Sequence, residues 1–275
     1  MPTLCSLLAG ASLPQSPTAR LDAELLLAAA LGKPRSYLHT WPERIATREV
    51  ASAFAESLER RQRGEPVAYI LGRQGFWNLD LEVEPHTLIP RADTELLVEA
   101  ALALGPVEPA TVLDLGTGSG AIALALSRER PAWRVVGVDR VPEAVALAER
   151  NRQRLEVDNA RFLASHWFDA LAGERFHLIV SNPPYIAAED HHLEEGDVRF
   201  EPLSALVAGP DGLDDIRRIV ADAPDHLEAG GWLLLEHGFD QGPAVRRLLE
   251  ARGFVAVASQ RDLGGHERVS LGQWR

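Results

Sequence analysis

From residue 91 to the C-terminus, short apolar runs and amphipathic runs take turns, and that alternation constrains the fold more than any other feature of the chain. TVLDLG, RVVGVD, ARFLA, FHLIVSN and GWLLLEHG are 5–8 residues long and rich in β-branched and aliphatic residues. Runs so uniformly apolar suit strands buried on both faces. Between them lie helical patterns: GAIALALSRER, VPEAVALAERNRQRL, LDDIRRIVADAPDHL (disturbed near its end by Pro224) and AVRRLLEARG. ADTELLVEAALAL precedes the first strand as a helix that Asp93 or Thr94 can cap. The links are short, so the pattern predicts an α/β domain with a mostly parallel sheet covered on both faces. FVAVASQRD and ERVSLGQW, joined by DLGGH, read as an antiparallel hairpin at its end.

The first 90 residues differ. ARLDAELLLAAALG is helical, with Leu21, Leu25 and Ala28 expected on one face and Gly32 and Pro34 ending the run. In TREVASAFAESLERRQRG, Val50, Phe54 and Leu58 recur every four residues, and Thr47 can cap the start. Arg60, Arg61 and Arg63 then fall at the negative end of the helix dipole before Gly64. GFWNLDLEVE alternates around Asn78 and reads as a β-hairpin. The expected organisation is a helical bundle at 1–72, a hairpin linker at 73–90 and an α/β domain at 91–275.

Charge narrows the function. The 275 residues hold 28 Lys+Arg against 40 Asp+Glu, a net of −12. Residues 1–72 are nearly neutral, with 8 basic and 7 acidic residues, and the remainder holds 20 basic and 33 acidic. An acidic body opposes binding to phosphate backbones, which depends on Lys/Arg contacts, so nucleic acid is not the expected substrate. A lone Cys5 provides neither a disulfide nor a CxxC metal pair, and no metal is expected. No apolar run reaches the roughly 18 residues of a membrane span, and MPTLCSLLAG lacks the basic start of a signal peptide. A soluble cytoplasmic chain is the expectation.

Two motifs carry chemistry. Asp114-Leu-Gly116-Thr117-Gly118-Ser119-Gly120 leaves the first buried strand and opens a helix, at the edge where open α/β sheets bind ligands. Asp139 ends the next strand, placed to accept hydrogen bonds from ribose hydroxyls. Loop and acid together indicate a nucleoside-containing cofactor, and they fit either a dinucleotide or S-adenosyl-L-methionine (AdoMet). The second motif decides between them. FHLIVSNPPYI runs off a strand into Asn182-Pro183-Pro184-Tyr185. Two fixed φ angles, each restricting the residue before it, hold this segment extended. It presents the Asn182 side chain, the Pro183 carbonyl and the Tyr185 ring to a planar amide or aromatic amino group.

The NPPY element is similar to that of methyltransferases acting on amide or adenine-type nitrogens. With GEPVAYILG, TLIPRADTE, DLGTGSGAIALAL, WF, GDVRFEPLSAL and LLLEHG, the chain resembles the bacterial release factor glutamine N5-methyltransferases. The resemblance covers most of residues 64–275. It implies a Rossmann-like class I AdoMet-dependent methyltransferase domain, a seven-stranded, mostly parallel sheet with a C-terminal antiparallel hairpin, preceded by a small helical domain. It implies AdoMet as methyl donor, S-adenosyl-L-homocysteine as product and the GGQ glutamine of peptide chain release factors as acceptor. The helical part, nearly neutral, self-contained and apart from every motif, is expected to help dock the release factor. Residue by residue, it assigns the cofactor to Gly116–Gly120, Asp139, Trp167, Asn182, Leu88 and Thr94. It assigns the glutamine to Asn182, Pro183, Pro184, Tyr185 and Arg91. One position departs from the family: Ser165-His166-Trp167 carries His where Asp usually precedes the Trp and accepts from the adenine amino group. Neutral His166 or a backbone group can substitute as acceptor. The rival readings are an adenine-N6 nucleic-acid methyltransferase and a non-catalytic AdoMet- or NAD-binding protein.

Overall fold

A computed structural model describes all 275 residues. The chain divides into two compact units, Met1–Arg73 with His191–Phe200, and Gln74–Asp190 with Glu201–Arg275.

The first unit holds five helices: α1 (Leu4–Gly10), α2 (Ala19–Leu31), α3 (Ser36–Thr40), α4 (Arg48–Gln62) and α5 (Val67–Leu71). Thr47 caps α4 by accepting from the Val50 N–H, and Gly32 ends α2 in the left-handed conformation. Leu4, Leu8, Ala23, Leu26, Leu27, Leu38 and Phe54 form its core. The buried face of α2 is only in part the expected one: Ala28 joins the core, but Leu21 does not. Ala23, Leu26 and Leu27 point inward beside the buried Asp22, and Leu21 is 38% exposed. Arg61 accompanies Asp22 on the buried side. It is buried, its Nε donates to Asp22 Oδ2 at 2.7 Å and its Nη1 to Asp197 Oδ1 at 2.7 Å. Nη1 also reaches the carbonyls of Gly64 and Glu65. Arg61 is thus the hub of an internal ion cluster rather than a dipole-matched surface charge, and it accounts for His191–Phe200 joining this unit.

The second unit opens with the hairpin β1 (Arg73–Phe76) and β2 (Leu79–Glu82). The expected linker is instead core: Phe76, Leu79 and Leu81 are buried among α/β-domain residues. Its turn is fastened, since the Trp77 N–H donates to Glu95 and its indole N–H to Glu129. A 3₁₀ turn (Ala92–Thr94) leads into α6 (Glu95–Leu104). Neither Asp93 nor Thr94 caps this helix through its side chain.

There follow β3 (Thr111–Leu115), α7 (Ala121–Glu129), β4 (Arg134–Asp139), α8 (Pro142–Arg154), β5 (Ala160–Ala164), β6 (Phe176–Ser181) and α9 (Asp214–Asp222). The chain ends with β7 (Leu227–Glu236), α10 (Gly242–Arg252), β8 (Val255–Arg261) and β9 (Glu267–Gln273). The seven strands order as β5-β4-β3-β6-β7-β9-β8; β3 to β7 run parallel, and β9 pairs antiparallel with both β7 and β8. The period-2 pleat divides the strand residues between two cores. Val112, Val135, Leu178, Val180 and Leu234 pack with α6 and α7, while Leu113, Val136, Ile179, Leu233 and Leu235 pack with α9 and α10. The winding reverses between β3 and β6, which opens a crevice at their carboxyl ends.

Candidate active site

A cavity partly open to solvent lies at that reversal. The loop after β3 forms its floor. Asp114, fully buried, holds the loop: its Oδ2 accepts from the Thr117 hydroxyl at 2.6 Å and the Ala123 N–H at 3.2 Å. Burial pushes this carboxyl up to about 7, with the two hydrogen bonds acting against it. The Gly116 and Thr117 N–H groups both donate to the Val138 carbonyl. Gly120 has φ +85°, and a Cβ there would press Ala148 and Leu124 at 3.1 Å, so only glycine closes the turn onto α7. Gly137 on β4 is equally constrained, because an added Cβ would sit 2.5 Å from the Phe162 ring and 2.7 Å from Thr117 Oγ1.

Asp139, at the end of β4, lines the wall. Its Oδ2 accepts from the Gly118 N–H and its Oδ1 from the Val141 N–H, each at 3.0 Å. Both oxygens are oriented by backbone and keep lone pairs for a ligand. Burial raises this carboxyl, and those same hydrogen bonds oppose the shift.

Beyond β5, Ser165-His166-Trp167 forms the next stretch of wall. Trp167 has φ +52°, a left-handed conformation uncommon for so large a residue. Ser165 stabilises it: its hydroxyl donates to the Trp167 carbonyl at 2.9 Å and accepts from the Ala170 N–H at 3.0 Å. The indole is 8% exposed and lies 3.5 Å from the position of a Cβ on Gly116.

The opposite side carries Asn182, which follows β6. Its Nδ2 donates to Thr94 Oγ1 at 3.1 Å, across 88 positions of sequence. With the nitrogen so held, Oδ1 is the free acceptor. The Pro183 ring is buried and Pro184 lines the cavity. Tyr185 packs against the core shared with α9 and α10, with its hydroxyl 3.5 Å from Glu236 Oε1 and its carbonyl accepting from Gln241 Nε2 at 3.0 Å. Burial beside Glu236 drives the phenol well above its ordinary range, so it stays protonated. Glu236 is itself fully buried, Oε2 has no partner, and burial raises the carboxyl to about 7 against hydrogen bonding from Thr94 and Tyr185.

Leu88 and Arg91 also line the cavity, on the segment before α6. The buried Glu201 ties this segment down, accepting from the Ile89 N–H at 3.1 Å and pairing with the Arg91 guanidinium. The cavity thus brings together Leu88, Arg91, Thr94, Gly116, Thr117, Gly118, Ser119, Asp139, Trp167, Asn182 and Pro184. Gly120, Pro183 and Tyr185 do not contribute to its wall. Sequence reasoning missed Ser165, Arg140 and Asp215, which do. Only their neighbourhood to strand ends and to Trp167, visible after folding, distinguishes them.

Residues 7–72 match the family model of the PrmC N-terminal domain, and residues 92–197 match the methyltransferase small domain. The release factor glutamine methyltransferase of Pseudomonas aeruginosa is 70% identical over 100% of this chain and 99% of its own length. The protein of the same name from Escherichia coli K12 is 51% identical over 94% of each. Among solved structures, the T. thermophilus 16S rRNA N2 G1207 methyltransferase (RsmC), in complex with AdoMet and guanosine, is 25% identical with a TM-score of 0.53, over 74% of this chain and 50% of that one.

Proposed function

The chain belongs to the release factor glutamine methyltransferase family, and from that premise we propose that it methylates the side-chain amide nitrogen of the GGQ glutamine in peptide chain release factors, using AdoMet as donor and leaving S-adenosyl-L-homocysteine. One observation carries the reading: Thr94 holds the Asn182 amide nitrogen, so that Asn182 Oδ1 is the acceptor beside a cavity that also contains the glycine loop and Asp139.

The wall suits the donor. Glycines keep the floor clear of side chains, Asp139 offers acceptors to a ribose, and Asp139 and Asp215 favour a cation. Of the two guanidiniums on the wall, Arg91 is paired with Glu201 and Arg140 donates to the Ser204 carbonyl. Gly116–Gly118, Asp139 and Trp167 would hold the cofactor. When bound, AdoMet supplies an electrophilic methyl group on a sulfonium.

The chain's own residues supply placement. Asn182 Oδ1 accepts one N–H of the glutamine amide, and the Pro183 carbonyl, which is outside the cavity wall, is assigned the other. An amide nitrogen is a weak nucleophile because its lone pair is delocalised, and accepting both N–H groups returns electron density to it. Positioning can lower such a barrier by on the order of 7–11 kcal/mol. A hydrogen bond to a group gaining charge adds about 1.5–3 kcal/mol. Tyr185, kept protonated, is not a base, and the proton leaves to water after transfer. Incubating the protein with a release-factor fragment and AdoMet should add one methyl group, mapped by mass spectrometry to the GGQ glutamine. An unmodified glutamine under conditions where AdoMet binds would refute the assignment.

In the same reading the helical unit docks the release factor. It has its own core, and Trp41 and Ile45 are 56% and 60% exposed on it. A chain lacking residues 1–70 should bind AdoMet yet methylate the intact factor poorly, and normal methylation by it would overturn this role.

A further inference from the structure

We propose that Asp215 accepts the hydrogen bond of the adenine 6-amino group and makes the cavity selective for an amino-purine. The inference rests on the cofactor reading above and deepens it.

Strand order locates the base. Leaving the β3–β6 reversal, the wall runs past Asp139 on β4 to the end of β5, the edge strand. A base attached to a ribose at Asp139 therefore lies among Ser165, His166, Trp167, Arg140 and Asp215. Few of these can accept a proton. The Ser165 hydroxyl is already donor to the Trp167 carbonyl and acceptor from Ala170. Arg140 is a donor only, and it faces the Ser204 carbonyl. Trp167 offers a ring face and no acceptor, its indole nitrogen being buried. The His166 side chain is 38% exposed, with Nδ1 3.8 Å from Asp169 Oδ2. A solvated ring turned toward a neighbouring carboxylate is a poor substitute for the missing Asp.

Among these side chains Asp215 is the remaining acceptor. It sits in the first turn of α9, half-buried, on the same stretch of wall. Burial raises its pKa, and Arg140, Trp167 and His166 around it oppose the shift without cancelling it, so binding is measured well on the alkaline side. A carboxylate has no proton to give. An amino group satisfies it, whereas a 6-oxo purine would set two acceptors face to face, and such sites reject the wrong partner strongly.

The test is equilibrium binding of S-adenosyl-L-homocysteine and S-inosyl-L-homocysteine at pH 8, by calorimetry, to the wild-type chain and to D215A, D215N and H166A. The wild type should prefer the adenosyl compound by about 10- to 100-fold. D215A should lose most of this preference by weakening the adenosyl compound alone. D215N, nearly isosteric, can donate to the 6-oxo group, so it should shift the preference toward the inosyl compound even if D215A folds badly. H166A should keep the wild-type preference. Unchanged preference in both Asp215 variants, or equal weakening of both ligands by D215N, would overturn the proposal. Failure of the wild type to bind either compound would instead overturn the cofactor reading on which it rests.

Discussion

The pair Asn182–Thr94 permits a test in which two substitutions must fail to add. Asn182→Ala removes the Oδ1 acceptor but leaves β6 and both prolines in place. Asn182 is half-exposed at a strand end, so stability should change little. The methyl-transfer rate should fall at least about 10²-fold, roughly 2.7 kcal/mol of transition-state stabilisation. Thr94→Val keeps the shape of a buried side chain and deletes the hydroxyl that receives Asn182 Nδ2 at 3.1 Å. A neutral hydrogen bond of that kind is worth about 1 kcal/mol, so the rate should fall about 5-fold. If Thr94 acts by orienting Asn182, the double variant should be no slower than Asn182→Ala, a coupling of about 1 kcal/mol. Asn182→Asp keeps an acceptor while adding charge near the sulfonium, which stabilises the charged ground state more than the charge-dispersed transition state. It should lie between Ala and Asn. The assay is single-turnover methylation of a release-factor fragment at saturating cofactor. A 5-fold effect of Thr94→Val persisting in the Asn182→Ala background would refute the orienting role. Equal rates for Ala and Asn at position 182 would refute the role given to Asn182.

Three further outcomes follow from other parts of the structure. Asp139→Ala should weaken AdoMet by about 30- to 1000-fold, because two hydrogen bonds to a charged acceptor, about 2–4 kcal/mol, are lost; unchanged affinity in a titration would remove the ribose assignment. Glu236 has a folded pKa raised from 4.5 to about 7, so its stabilising contribution is full below pH 4.5 and is lost as pH rises through 7. Glu236→Gln should flatten the fall in unfolding free energy between pH 5 and 8 by on the order of 3 kcal/mol, read from urea melts, and an unaltered slope would contradict the buried-carboxyl account. Arg61→Met should destabilise the helical unit by about 3 kcal/mol, since Asp22 is left buried without its countercharge and with only the Ser16 and Thr18 hydroxyls donating to it; a loss below about 1 kcal/mol in chemical denaturation would show the cluster to be dispensable.

What the sequence determined by itself was local. The alternation of apolar and amphipathic runs specified strands and helices, since periods of 2 and 3.6 are properties of neighbouring residues. The glycine loop, Asp139 and NPPY were legible for the same reason: each is a strand end followed by residues with special φ, and parallel α/β sheets gather such ends on one edge. Tertiary structure decided the rest, because it depends on groups far apart in the chain. Leu21 lies outward while Asp22 beside it is buried against Arg61, 39 positions further along the chain. Thr94, readable as a cap, meets Asn182 and Glu236 instead, partners that only folding brings within reach. The hairpin became core because α6 and α7 offer its apolar side a surface to cover. Asp215 acquired its place beside Trp167 only when α9 packed under the sheet, for a carboxylate in an amphipathic helix bears no mark of the cavity it will face.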